Sequence, residues 1–163
     1  MVSLNLIVEE TIEAIRSRSR KTRKNYLDRL EQMETDPDSN RGMIGCSNLA
    51  HAAAGMVDES SEILSGQKPN VAIITSYNDM LSAHQPFEKT PAVLKAAVRQ
   101  AGGTAQVAAG VPAMCDGITQ GRPSMELSLP SRDAIAMATA VGLSHGVYDA
   151  ALCLGVCDKI VPG

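Results

Sequence analysis

The sequence predicts an α/β protein in which N-terminal helices precede a βαβαβ unit, its parallel sheet covered by helices on both faces in a three-layer α/β/α arrangement. Three observations predict it. Apolar residues recur at helical spacing through residues 7–33, three short apolar runs follow at 71–75, 104–109 and 151–156, and stretches of helical period separate those runs. Strands alternating with helices make a parallel sheet with right-handed crossovers.

The elements follow in order. Ile7, Val8, Ile12 and Ile15, then Tyr26, Leu27, Leu30 and Met33, mark helix among charged residues. The basic run Arg16 to Arg23 reads as a solvated face or as the join between two helices. Asp36 to Gly42 (DPDSNRG) is a loop by composition. Ser47 is placed to cap a short alanine-rich helix through Ala54, on which His51 reads as structural rather than as a ligand.

Lys68-Pro69-Asn70 then turns into a β-branched strand, Val71 to Thr75. A loop with Asn78, Asp79 and His84 leads to a helix over 91–101, where Pro91 suits the first turn and Gly102-Gly103 the stop. Thr104 to Ala109 is the second strand, Cys115 to Gly121 a loop, Ser131 to His145 a helix, and Ala151 to Val156 a third, buried strand containing Cys153 as a small hydrophobe. Residues 1–66 are thus expected to form a helical segment packing on the sheet, and 67–163 the α/β core.

Composition narrows the function. At 163 residues and 17.2 kDa with 44% hydrophobic content, the chain can build a core. A net charge of −3 and few aromatics argue against nucleic acid as a partner. Leu4 to Val8 is too short for a signal peptide core, and no stretch reaches the roughly 18 apolar residues of a membrane span, so the expected location is the cytoplasm, away from membranes. In that reducing compartment the four cysteines read as free thiols or ligands.

The chemistry concentrates in two places. Cys157-Asp158-Lys159 directly follows an apolar run, and Cys115-Asp116-Gly117 repeats the Cys-Asp pair after another. Thiolates suit iron or an iron–sulfur cluster and carboxylates a hard cation such as magnesium, so Cys157, Cys115, Asp158 and Asp116 are candidate metal ligands. An ammonium at Lys159 repels a cation, so it must bind an anion, neutralise a carboxylate or be chemically altered. Open α/β sheets bind ligands beyond the carboxyl ends of their strands, which predicts that the loops 78–84, 115–121 and 157–159 meet at one rim.

The stretches CDGITQGRPSMELSLPSRDAIAM (Cys115 to Met137) and GVCDKIVPG resemble the dihydroxy-acid/6-phosphogluconate dehydratase family. Within it, CSNLAHAAAG, ITSYNDMLSAHQPFE and SLPSR look most like the phosphogluconate branch. The resemblance implies an iron–sulfur hydro-lyase converting 6-phospho-D-gluconate, a phosphorylated sugar acid, to 2-dehydro-3-deoxy-6-phospho-D-gluconate in the Entner–Doudoroff pathway. It implies an oxygen-sensitive [4Fe-4S] cluster as Lewis acid, with Mg2+ as a second cofactor in some relatives. Those relatives are commonly homodimers and several times longer, so the chain resembles an N-terminal fragment that is inactive alone.

By the same resemblance Cys157 is a cluster ligand, with Cys115 a second candidate. Asp158 and Asp116 match magnesium-binding carboxylates, and Lys159 a lysine that some relatives carboxylate. Alternatively, Asp116 and Lys159 act directly on the carboxylate and hydroxyls of the substrate. Asn78 and His84 are expected to contact substrate. Ser131 and Arg132 either bind phosphate at a helix start or serve as an N-cap and an ion-pair partner. Two other readings remain: a dehydratase of another sugar acid or dihydroxy acid, and a non-catalytic interaction module.

Overall fold

A computed structural model of the protein describes residues 5–35 and 44–163, with side chains over 5–32 and 44–163. The chain divides into two units, Met1–Asn40 and Arg41–Gly163. The predicted loop at Asp36 to Gly42 lies outside the described residues.

The described residues of the first unit form one helix, α1 (Leu6–Thr35), with no break at the basic run. Asn5 starts it by accepting the Ile7 N–H at 2.9 Å. The basic residues lie on its solvated surface, where Lys24 pairs with Asp28 at 2.7 Å and the Arg23 guanidinium stands 5.2 Å from the centre of the Tyr26 ring. Of the two readings of that run, the solvated face is the one seen.

The second unit opens with α2 (Cys46–Ala54) and α3 (Ser60–Ser65), ended by Gly66 at φ 64°. Ser47 does not cap α2: the helix begins one residue earlier, Gly45 holds the cap position, and no side chain closes it. Leu49 and Ala53 of α2, Ile63 of α3 and Val147 make one buried cluster. α2 and α3 therefore share a unit with the sheet.

The sheet has three parallel strands in the order β2-β1-β3: β1 (Asn70–Thr75), β2 (Thr104–Gly110) and β3 (Ala150–Leu154). The crossover β1 to β2 carries α4 (Thr90–Gln100), and the crossover from β2 back past β1 to β3 carries α6 (Ser131–Leu143). Because the two crossovers run in opposite directions, right-handedness puts α4 and α6 on opposite faces. This is the three-layer α/β/α arrangement expected from the alternation of periods.

Glycines set the close approaches. A Cβ on Gly142 of α6 would lie 2.7 Å from the Ala109 Cβ, so the absence of a side chain lets α6 rest on β2. β1 is the buried strand, with Ala72 and Ile73 sealed completely. β3 corrects an expectation: it is not buried, and Cys153 is exposed. An edge strand has a neighbour on one side only, a fact that its own apolar composition does not carry.

Candidate functional site

The carboxyl ends of all three strands open onto one pocket of about 230 Å3, lined by residues 81–84, 114–117 and 157–159. The rim geometry expected from strand order is therefore present. It collects His84, Cys115, Asp116, Cys157, Asp158 and Lys159 from loops far apart in sequence.

Each loop is shaped by local chemistry. After β2, Cys115 is extended, and its carbonyl accepts the Ile118 N–H at 3.1 Å and the Thr119 N–H at 3.3 Å. Asp116 accordingly opens a single helical turn, α5 (Asp116–Thr119), where a loop was expected. After β3, the Val161 N–H bonds the Cys157 carbonyl at 3.1 Å, and Ile160 folds back so closely that a Cβ on Gly155 would sit 2.5 Å from its Cγ2. That turn, with Ile160 buried, directs Lys159 inward.

Lys159 is the electrostatic centre. Its side chain is 6% exposed, against 35% for Asp116 and 68% for Asp158. Its Nζ donates to Asp116 Oδ2 and, at 2.9 Å, to Asp158 Oδ1. The hydrogen bond to Asp116, then that to Asp158, raises the Lys159 ammonium above its ordinary range. The same Lys159 bond holds the Asp116 carboxyl below the usual carboxylate range. Of the roles open to Lys159, neutralising carboxylates is the one formed here.

Asp116 Oδ1 is buried without a hydrogen-bond partner, and so is Arg132 Nε. A buried polar group left unpaired is costly. Arg132 Nη2 stands 3.9 Å from Asp158 Oδ2, so Arg132 meets the site through that carboxylate.

Three expected contacts lie apart from the pocket lining, Arg132 among them. Asn78 Oδ1 accepts the Met80 N–H at 2.8 Å, closing its own loop. Ser131 is the first residue of α6, and its Oγ donates to the Ser128 carbonyl at 2.5 Å instead of capping the helix. Ser76 was missed: it follows β1 directly, and its Oγ donates to the Leu154 carbonyl at 2.8 Å. A serine just past a buried strand was the available signal.

A larger hollow of about 720 Å3 lies between α2 and the sheet, with His51 and His145 on its wall. Its lining contains neither thiol nor carboxylate, and its Gln106 is already bonded to Asn70 and to the Ala52 carbonyl. Of these two hollows, the rim pocket is the one that holds thiols and carboxylates.

A model of the dihydroxy-acid/6-phosphogluconate dehydratase N-terminal domain matches residues 68–163, the segment holding every strand and every lining residue of that pocket. The chain belongs to this family. Similar proteins include the phosphogluconate dehydratases of Rhizobium meliloti, 59% identical over 90% of this chain and 24% of the relative, and of Pseudomonas aeruginosa, 55% identical over 96% and 26%. That of Zymomonas mobilis is 51% identical over 100% of this chain and 27% of its own length. The chain thus spans about a quarter of the length of these relatives.

The donor set can be weighed against the groups such chemistry uses. Cys115 and Cys157 are free, half-buried thiols on one pocket, which suits an iron–sulfur cluster in kind while supplying only part of its ligands. Among the described residues no set of three or more His, Cys, Asp or Glu is disposed to hold a metal ion. The orphaned Asp116 Oδ1 has spare accepting capacity for a hard cation. As an ammonium, however, Lys159 sits between the two carboxylates and repels a cation there, so they fit Mg2+ with Lys159 carboxylated.

Proposed function

We propose that the protein is an iron–sulfur hydro-lyase that dehydrates 6-phospho-D-gluconate to 2-dehydro-3-deoxy-6-phospho-D-gluconate, as in the Entner–Doudoroff pathway, with this chain as its N-terminal part. The observation that carries the reading is the convergence of Cys115, Asp116, Cys157, Asp158 and Lys159 on one rim pocket, within the segment that matches the dehydratase family. Among the described residues no helix is long and apolar enough to cross a membrane. A cytoplasmic homodimer completes the proposal.

In this reading Cys115 and Cys157 hold part of a [4Fe-4S] cluster, which when bound supplies a Lewis acid for the departing C3 hydroxyl. The rest follows from the chain's own side chains. Lys159, buried and cationic, orients the substrate carboxylate and hydroxyls from the floor of the pocket, and Asp116 fixes its position. Asp116 Oδ1 accepts a hydrogen bond from a hydroxyl, which satisfies its open valence. His84 lines the same pocket as a substrate contact. Arg132, tied to the rim by Asp158, faces the anionic end of the sugar acid.

The test is iron and sulfide analysis of the complete protein prepared anaerobically, wild type and Cys157→Ser, with turnover of 6-phosphogluconate on the same samples. Loss of cluster and turnover together in Cys157→Ser is the expected result. A variant with both intact removes Cys157 from the ligand set and the reading with it.

A further inference from the structure

His84 is 2% exposed, and its Nδ1 has two neighbours, the carbonyl oxygen and the Oγ of Ser76, each at 3.0 Å. A carbonyl oxygen can only accept a hydrogen bond. Ser76 Oγ has one hydrogen and lies 2.8 Å from the Leu154 carbonyl; donating there, as an acceptor-only carbonyl requires, the hydroxyl offers Nδ1 a lone pair. Two acceptors against one ring nitrogen put the hydrogen of the neutral imidazole on Nδ1. The lone pair is then on Nε2.

No hydrogen-bond partner of Nε2 is found among the described residues, and the ring lines the rim pocket together with Cys115, Asp116, Cys157 and Lys159. A bare ring nitrogen repels the oxygens of a carboxylate or phosphate and attracts a donor. The ammonium of Lys159 donates to Asp116 and Asp158 and makes no hydrogen bond to His84, and its third N–H is left for the substrate. A metal ion is the competing partner for such a nitrogen, but the cluster proposed for this pocket is assigned to the thiols of Cys115 and Cys157, which leaves Nε2 to the substrate. A polyol acid brings several O–H donors.

We propose that His84 is the hydroxyl-selecting residue of the pocket: its Nε2 accepts a hydrogen bond from one hydroxyl of the bound sugar acid. Ser76 is the positioning residue that sets this tautomer. Ser76 is itself fixed by the last carbonyl of β3, so the ends of β1 and β3 and the first loop act as one rigid frame. The proposal rests on the rim pocket being the substrate site.

The test compares kcat/KM of the complete enzyme, wild type and His84→Phe, on 6-phosphogluconate and on monodeoxy analogues that keep the departing hydroxyl. In the wild type, loss of the paired hydroxyl is expected to cost at least about tenfold, the worth of one buried hydrogen bond. In His84→Phe that same analogue and the parent acid should react equally. If every deoxy penalty survives in His84→Phe, the proposal is overturned, whereas a wild type inert toward the sugar acid overturns the dehydratase reading instead.

A second readout needs no activity and starts from the wild type. Nitrogen-15 spectra of the imidazoles in the wild-type protein should place the His84 hydrogen on Nδ1, and a hydrogen on Nε2 would overturn the proposal. Ser76→Ala is expected to admit some of the Nε2–H form in the same spectra, a change that a merely structural serine would not cause.

Discussion

Two side-chain networks at opposite ends of the same sheet, around Asn70 and around Lys159, are built to opposite standards, although Glu59 Oε2, beside Thr104 at the amino end, is also buried without a partner. At the amino end, Asn70 is sealed completely and every polar atom of its side chain has a partner. Its Nδ2 donates to Gln106 Oε1 at 2.9 Å and to the Val147 carbonyl at 3.1 Å, while its Oδ1 accepts from Thr104 Oγ1 at 3.0 Å. Its backbone N–H donates to Asp149 Oδ2 at 2.7 Å, and Gln106 Nε2 carries the network on to the Ala52 carbonyl of α2 at 2.9 Å. At the carboxyl end, charges crowd around Lys159, and Asp116 Oδ1 and Arg132 Nε have no partner. A satisfied network holds the fold in one register, whereas an unsatisfied one keeps bonding capacity for a ligand.

Breaking the amino end should cost the most stability. Asn70→Ala leaves Gln106, Thr104 and the Val147 carbonyl short of partners and is expected to lower unfolding stability by about 3 kcal/mol, read by urea denaturation. Turnover per folded molecule should not change. If activity falls and stability holds, the division between the two ends is wrong.

Breaking the carboxyl end should do the reverse. Lys159→Met removes the buried cation of the pocket and is expected to reduce turnover of the complete enzyme about 100-fold, the usual scale for one preorganised electrostatic contact. A variant within threefold of wild type would demote Lys159 from the site.

An intermediate effect belongs to the packing that joins the two ends. Gly142→Ala drives a methyl into Ala109 Cβ and should destabilise by roughly 1–3 kcal/mol through overpacking between α6 and β2, measured as a fall in Tm.

Smaller still is the pH response of the rim pair. The lowered Asp116 carboxyl contributes stability above the ordinary carboxylate range, lost as pH falls through its depressed folded value. The raised Lys159 contributes stability below the ordinary lysine range, lost as pH rises through its elevated folded value. The difference in Tm between wild type and Lys159→Met should therefore be flat between the two ranges and shrink at both extremes. A difference independent of pH across both extremes would assign the loss to packing.

The smallest effect is on the first loop. The hydrogen bond to Asp79 pushes the Tyr77 phenol up to about 12, so Asp79→Ala should return one tyrosine to the ordinary range in an ultraviolet titration and leave stability unchanged.

Much of this was legible in the chain itself. The alternation of apolar runs with helical periods fixed three parallel strands and their crossovers, because side-chain period and strand length are local properties. The Cys-Asp pairs at strand ends located the rim, because ligand loops of an open α/β sheet leave the carboxyl ends of its strands. Local pattern failed where an outcome depends on neighbours. Ser47 and Ser131 have capping chemistry, yet the backbone entering each helix gave the cap to Gly45 and Pro130. Asn78 turned onto its own loop instead of toward the pocket.

The sequence determined which side chains are reactive and which elements carry them, since composition and periodicity need no partner to be expressed. Only the tertiary structure decided that Lys159 is buried between two carboxylates, that β3 is an exposed edge, and that His84 presents Nε2 to the pocket. Each of these includes a partner tens of positions away: Asp116 for Lys159, β1 for β3, and Leu154 for the Ser76 that holds His84. Burial, pairing and tautomer are properties of that meeting and of no single stretch of chain.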